Sequence, residues 1–378
     1  MTVVHVFPYT PRVRGGHSNA IRGFIGCQRA KGINAVGIAP KADAGAEEPG
    51  WDFPLAEVDS LWELRWASIA DRFGLTPRNS LLNLHGVNRK YAPLLGDLRR
   101  AGVPYVVTSH GQLCFQTAWR WLQKFVYLQV VNRDLVKAAG LQVLTTFAAR
   151  RVKLLLPGFR GEILVQGNLV ELPKLAELPA GVRRDYGLPQ DAFVLVFLGR
   201  LDVRVKGLDL LVQAFSRLPS DRARLLLVGP DWNGGKAMLE QLAERLGCRD
   251  RIRFTGPVYG DQKWSLLQMA DLFVSPSRWD AFNIALVEAM AAGLPVVTSS
   301  KVNLAPDLRE ADAALLAPPA AEPLAQAITT LAADAERRRA LGSRGKAWAE
   351  KNCDPGGAGD RFRKFYQSIL GQRPGPGD

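Results

Sequence analysis

Short apolar runs rich in β-branched residues recur along the chain, each followed by a stretch with helical spacing. In the first half they are Val3–Phe7, Ala35–Ala39, Leu81–His85, Tyr105–Ser109, Leu141–Thr145 and Ile163–Gln166. In the second half they are Phe193–Gly199, Arg224–Val228, Arg251–Gly256, Leu272–Ser275, Pro295–Thr298 and Ala313–Leu316. Most are continuously apolar rather than alternating, as strands of a parallel sheet must be when helices cover both faces. Repetition of strand and helix in both halves predicts an α/β protein with two doubly wound parallel sheets. Leu169–Gln190, rich in Pro, Leu and charge, separates the two sets and is expected to be a linker with a short helix. Domains are therefore expected at residues 1–170 and 171–356. After Asp354-Pro-Gly-Gly a last helix is expected to carry Phe362, Phe365 and Ile369, and residues 372–378 should be a disordered tail. No repeat or low-complexity tract interrupts this plan.

Composition narrows the class. The chain has 378 residues, 47% hydrophobic and 22% charged, ordinary values for a soluble protein of about two domains. Residues 1–8 lack the basic start and cleavage site of a signal peptide, and no apolar run is long enough to span a bilayer. Cys27, Cys114, Cys248 and Cys353 are scattered without a CxxC, so neither a zinc site nor a disulfide framework is indicated. A cytoplasmic protein is expected. The net charge of +13 is concentrated in residues 1–170, which hold 21 Lys/Arg against 11 Asp/Glu. That half either faces an acidic partner (an anionic membrane surface, a phosphorylated lipid or nucleic acid) or is a solvated basic surface. No nucleic-acid recognition module is visible.

Neither half contains GxGxxG or GxxxxGK[ST], which disfavours a nicotinamide or P-loop reading. Candidate chemistry lies elsewhere. Asp280 and Glu288 flank a turn that enters an apolar helix ending at Gly293, so one carboxylate precedes the helix N-terminus and the other lies about one turn inside it. Carboxylates can accept two hydrogen bonds from neighbouring hydroxyls, and a helix N-terminus favours a phosphate. A nucleotide sugar offers both groups; a surface cap and a solvated helical acid are the bland alternative. Gly199-Arg-Leu-Asp-Val-Arg-Val-Lys-Gly follows a strand and opens a helix over Leu208–Leu218, placing Arg200 and Lys206 where ligands bind in open α/β sheets. Two cations there can neutralise a diphosphate, with Arg204 solvated. Gly15-Gly16 lies between strand one and a helix, where a backbone can approach phosphate closely or simply form a loop. His5 sits within a strand and reads as core. His17, His85 and His110 fall at strand ends or the following turns, and His110 before Gly111 is the best ligand-facing histidine. No metal is implied, because the histidines lack i, i+4 pairing and an accompanying Cys/Asp cluster. Residues 118–133 interleave aromatics and cations on a helical period, fitting either a membrane-interface helix or a half-buried one.

Taken together these segments resemble a glycosyltransferase of the GT-B fold, within the large retaining family four, and the resemblance is strongest from Phe193 to Thr298. The elements that match in order are Gly15-Gly16, Thr108-Ser-His-Gly111, Gly199-Arg200 with Lys206-Gly207, Phe254-Thr-Gly256-Pro-Val258, and the acid-x7-acid segment ending Glu288-Ala-Met-Ala-Ala-Gly-Leu-Pro-Val-Val297. The resemblance implies two Rossmann-like domains facing across a cleft. Residues 1–170 would bind the acceptor, residues 171–356 the donor, and helix 357–371 would pack back on the first domain. It also implies that Arg200 and Lys206 bind the donor diphosphate, Glu288 the ribose hydroxyls and Asp280 the transferred sugar. The backbone of Phe282, Asn283 and Ile284 would face phosphate and sugar, Gly256 and Val258 would flank the base, His110 would lie near the reacting centre, and Gly16 would approach the donor phosphate. Three departures stand out. Asp280 replaces the family's glutamate and is shorter by a methylene, roughly 1.5 Å of reach. Asn283 replaces a turn glycine and, being tolerant of positive φ, is expected to preserve that turn. Gln166-Gly-Asn168 stands where the family often has Pro-Asn-Gly.

The implied reaction is transfer of a sugar from a nucleoside diphosphate sugar to an acceptor hydroxyl with retention, without a cofactor or metal, since the two cations supply the positive charge and the domains close about the linker. The +10 excess of residues 1–170 suggests an anionic acceptor such as a lipid-linked or cell-surface intermediate of polysaccharide biosynthesis at the inner membrane face. Two alternatives are a synthase or phosphorylase using sugar phosphate on the same fold, and a non-catalytic relative that binds a nucleotide sugar or a partner protein.

Overall fold

The computed structural model describes residues 1–8, 16–41, 53–113, 134–170, 178–179, 181–219 and 222–371. The chain forms two compact units, Met1–Leu169 with Pro355–Asp378, and Val170–Asp354. Gly15, Cys114, the aromatic stretch 118–133, linker residues 171–177 and 180, and the tail 372–378 lie outside the described residues.

The first unit contains β1 (Thr2–Val6), β2 (Asn34–Pro40), β3 (Leu55–Val58), β4 (Ser80–His85), β5 (Tyr105–Thr108), β6 (Gly140–Val143) and β7 (Glu162–Val165). They form one sheet in the order β3-β2-β1-β4-β5-β6-β7, with parallel pairing throughout. The second unit contains β8 (Phe193–Leu198), β9 (Ala223–Val228), β10 (Ile252–Gly256), β11 (Leu272–Ser275), β12 (Val296–Ser299) and β13 (Leu315–Ala317), also parallel, in the order β10-β9-β8-β11-β12-β13. Both sheets contain the 3-2-1-4-5-6 order of dinucleotide-binding folds. Ligands of such sheets bind beyond the carboxyl ends of the strands where the order reverses. That point lies between β1 and β4 in one unit and between β8 and β11 in the other.

Every strand expected from an apolar run is present, shifted by a residue or two at its ends. β3 was not expected. It is a four-residue edge strand, Leu-Ala-Glu-Val, in which only Ala56 is buried, so it carries no continuous apolar signal.

The two faces of the first sheet differ. Val4, Val6, Leu82, Leu84, Tyr105, Val107, Leu141 and Val143 enter an apolar core. The alternate positions carry His5, Asn83, His85, Thr108 and Gln142, all completely buried. Register sets His5 opposite Asn83, His85 opposite Thr108, and Thr108 opposite Gln142, so these side chains share one face as a polar seam. Helices Gly16–Ala30 and Pro355–Gly371 cover that face. Phe24 meets Phe362 edge-on at 5.4 Å, and Lys31 bridges to Asp360 at 2.7 Å. Gln28 and Tyr366 reach from the two helices into the seam, joined at 3.3 Å. The last helix is further tied by Arg361 to Gln166 at 2.7 Å and Ser368 to Glu162 at 2.5 Å. His17 lies in the first turn of helix Gly16–Ala30, not at a strand end or in the turn after one.

In the second unit the core is built from Leu195, Phe197, Leu225, Leu227, Val274 and Val297 with apolar helix faces around them. Cys27, Cys248 and Cys353 are buried, and none forms a disulfide among the described residues. No helix among the described residues is long and apolar enough to cross a membrane.

Candidate functional site

The second-unit site is assembled where strand order reverses. β8 ends at Leu198; Gly199 and Arg200 follow, then a short helix Val203–Lys206 capped by the Asp202 carboxylate on Val205 N–H at 3.0 Å. β11 ends at Ser275, where Pro276 cannot continue the ladder, and residues 276–283 lead into helix Ile284–Ala291. These two segments are fastened together. Arg278 N–H donates to Val205 carbonyl at 3.0 Å, and the Arg278 guanidinium grips Asp209 bidentately at 2.7 Å to each oxygen. Lys206 Nζ donates to Asp280 Oδ2 at 2.6 Å, with both side chains largely shielded from solvent. The two residues that the sequence placed in different motifs are thus direct partners.

Helix Ile284–Ala291 is capped by Asn283, whose Oδ1 accepts from Leu286 N–H at 3.2 Å and whose Nδ2 donates to Ser275 Oγ at 2.8 Å. Its φ is −82°, so the expectation of a left-handed turn at Asn283 is corrected: an amide side chain suits this position as an N-cap. The same observation removes helix capping as a role for Asp280. Phe282 and Asp280 are buried, and Glu288 lies about one turn into the helix. Glu288 Oε1 accepts from Lys263 Nζ at 2.7 Å, a lysine of helix Gly260–Met269. Arg200 stacks on Trp232, guanidinium carbon to ring centroid 4.3 Å. Trp232 is held by Asp231, whose carboxylate accepts from the backbone N–H of Trp232 and of Lys236, both at 2.8 Å. Gly256 ends β10 at a bulge with φ +74°, and its carbonyl accepts from Gly229 N–H at 2.9 Å; Val258 is half-buried in the turn beyond.

Lys263, Trp232 and Trp279 were not anticipated. Lys263 sits on a helix with weak amphipathic patterning, and its partner is 25 residues away. The indole N–H of Trp279, beside Asp280, is buried with no hydrogen-bond partner among the described residues. The acidic and basic groups are therefore arranged as two lysine–carboxylate pairs, an aromatic-supported arginine and a helix N-terminus. Such a set can present cations to phosphate and carboxylates to hydroxyls.

In the first unit, His110 follows β5 with φ +43°, a left-handed conformation unusual for a non-glycine residue, and Gly111 follows at φ +85°. His110 Nε2 lies 2.8 Å from His85 Nδ1, His85 Nε2 lies 2.8 Å from His5 Nδ1, and His5 Nε2 lies 2.9 Å from Gln28 Oε1. Burial lowers the His5 pKa to about 4, so its ring is neutral near pH 7. Burial pushes the Tyr366 hydroxyl up, so it stays protonated. His5 is core, as expected, but as part of a hydrogen-bonded line. Gly16 opens helix Gly16–Ala30 beyond β1.

The fold is of the GT-B class. Sucrose-phosphate synthase from Thermosynechococcus elongatus superposes with a TM-score of 0.81 at 21% identity, over 99% of this chain and 100% of that one. Anabaena HepE solved with UDP superposes with a TM-score of 0.78 at 18% identity, over 97% of this chain and 100% of that one. Within that fold, residues 182–348 match the family model Glycosyl transferases group 1. A protein of Methanocaldococcus jannaschii described as an uncharacterized glycosyltransferase is 39% identical over 119 residues, which is 31% of this chain and 30% of the relative. D-inositol 3-phosphate glycosyltransferase of Mycolicibacterium smegmatis is 30% identical over 174 residues, 45% of this chain and 37% of the relative. The aligned stretches thus span roughly a third of these relatives' own length.

Proposed function

We propose that the chain is a retaining glycosyltransferase that moves a sugar from a nucleoside diphosphate sugar to an acceptor hydroxyl. The observation that carries this reading is the Lys206–Asp280 pair at 2.6 Å beside the N-terminus of helix Ile284–Ala291, with Arg200 at the end of the adjacent strand. Arg200 and Lys206 take the diphosphate, Glu288 releases Lys263 to accept from ribose hydroxyls, and Asp280 orients Lys206 and receives a hydroxyl of the sugar. Phe282, Asn283 and Ile284 offer backbone to phosphate and sugar, and Gly256 and Val258 flank the base. No cofactor or metal is needed, since the cations offset the developing charge. The bond from the anomeric carbon to the leaving phosphate oxygen breaks as the acceptor oxygen bonds to that carbon from the same face, and the acceptor proton passes to the phosphate.

HepE, a fold relative, has been solved with UDP and with UDP-glucose, which makes uridine donors the first to try. A thermal-shift and nucleotide-release screen of UDP, GDP, ADP, TDP and CDP sugars should single out one base, with nucleotide released only in the presence of intact donor. Product of inverted anomeric configuration, or a shift with no donor, would sink the reading.

For the acceptor we propose a lipid-linked anionic glycan held by the first unit at the inner face of a membrane, on the strength of the +10 surplus over residues 1–170. Sedimentation with vesicles containing phosphatidylglycerol should fall as salt rises from 50 to 500 mM; binding that ignores salt, or none, removes the membrane from the proposal.

A further inference from the structure

We propose that His5 and His85 are positioning residues for His110: the three rings form a directional hydrogen-bond relay, seated on Gln28, that fixes His110 as the Nε2–H tautomer with Nδ1 as an acceptor.

The direction follows from the far end. Gln28 Nε2 donates to the Tyr366 hydroxyl at 3.3 Å, which leaves the Gln28 carbonyl oxygen facing His5 Nε2 at 2.9 Å. A carbonyl only accepts, so His5 carries its proton on Nε2. His5 is completely buried and neutral near pH 7, so its Nδ1 must accept. His85 Nε2, at 2.8 Å, is then the donor. His85 is also completely buried; taking it to carry a single proton, its Nδ1 becomes the acceptor and His110 Nε2, at 2.8 Å, its donor. The sense of each link is inherited from the one before it, and an amide on helix Gly16–Ala30 sets the protonation pattern of a ring in the loop after β5.

Packing fixes the rings as firmly as the hydrogen bonds do. His5 and His85 centroids are 5.1 Å apart, His85 and Phe7 5.2 Å, and His85 and His110 5.1 Å with planes at 27°. Phe24 lies 6.4 Å from His110, centroid to centroid. His110 is also held at positive φ, an arrangement unfavourable for a non-glycine residue that persists only where the surroundings determine it. A core needing only to be filled would place apolar side chains at positions 5 and 85; two imidazoles in line with a third set a hydrogen-bonding pattern as well as a shape. An imidazole presenting Nδ1 as acceptor suits a hydroxyl proton of a sugar, whereas the other tautomer would oppose N–H to O–H. This consequence rests on the glycosyltransferase reading; the relay itself does not.

The test uses the full chain labelled with 15N-histidine. Two-bond correlation spectra at pH 7 should report Nε2–H with unprotonated Nδ1 for His5, His85 and His110. An Nδ1–H tautomer at His85 or His110 means the Gln28 amide faces the other way and overturns the proposal. In His85→Phe the volume is kept and the relay cut: His110 should become a mixture of tautomers, and UDP release from UDP-glucose should slow by about 100-fold in kcat with KM within about twofold. His85→Gln can still accept from His110 and donate to His5, so it should restore a single His110 tautomer and most of kcat. A His85→Phe chain with unchanged kcat, or one whose loss appears only in KM, also overturns the positioning role. A wild type that releases nucleotide from none of the UDP, GDP, ADP, TDP and CDP sugars would count against the functional reading, and the spectra would still decide the relay.

Discussion

Arg200→Ala combined with Lys206→Ala is expected to weaken UDP-glucose binding by about 100-fold or more in titration calorimetry. In the proposed site each cation would make charge-assisted hydrogen bonds to phosphate worth about 1.5–3 kcal/mol, and 1.4 kcal/mol is tenfold in affinity. Removing Lys206 does further harm, because Asp280 is buried and Lys206 is its partner at 2.6 Å. The bared carboxylate repels the incoming diphosphate as well as losing its own counter-charge. Arg200→Ala also strips the guanidinium from Trp232, so donor binding should no longer perturb the fluorescence of that half-exposed indole. Arg204→Ala is the control. It removes a cation from the same loop, but its side chain is exposed, and its affinity should stay within about twofold of wild type. Loss of binding in the Arg204 variant equal to that in the double variant would mean that bulk charge alone holds the donor.

The second large effect is expected at Gly207, the residue after Lys206. Its φ is +67°, and a Cβ placed there would stand 2.3 Å from the Pro276 carbonyl oxygen. The left-handed conformation alone costs alanine roughly 1–2 kcal/mol. The overlap adds to this because the obstacle is backbone rather than a side-chain tip. Relief requires the 199–209 segment to move away from residues 276–283, opposing the Arg278 to Val205 hydrogen bond and the Arg278–Asp209 clasp. Gly207→Ala should lower the melting temperature of the second unit by about 5–10 °C, taking roughly 2–4 °C per kcal/mol for a unit of this size. It should also weaken donor binding although no ligating side chain is changed. A calorimetric scan with an unaltered transition would show that the two segments are not in close contact.

The architecture was legible because parallel strands covered on both faces must be apolar along their whole length, and Val194–Leu198 or Phe273–Ser275 is unmistakable in that respect. β3 was not, because an edge strand with one buried side chain has nothing to distinguish it from a loop. Arg200, Lys206, Asp280 and Glu288 could be singled out from their places after strands and around a helix start. Their pairing could not: Lys206 and Asp280 are 74 positions apart, and Lys263 belongs to no motif. Asn283 looked like a substitute for glycine, yet the backbone there is not left-handed, and the side chain caps a helix. The histidine line has a signature in the sequence as well. Val4-His5-Val6, Leu82-Asn83-Leu84-His85, Val107-Thr108 and Leu141-Gln142-Val143 alternate strictly, a two-residue period that marks one polar face and that overall hydrophobicity conceals.

Helix Pro355–Gly371 has a bearing on how this polypeptide is made. Tyr366 and Gln28 meet across 338 positions, and the whole second unit lies between them in the chain. Before the last helix leaves the ribosome, the amide end of the polar seam lacks its tyrosine and Phe24 lacks Phe362. The second unit, continuous in sequence, can reach its native state during synthesis. The first, although begun earlier, must wait in an incomplete form until helix Pro355–Gly371 has been made, and that interval is where a folding chaperone has most to protect.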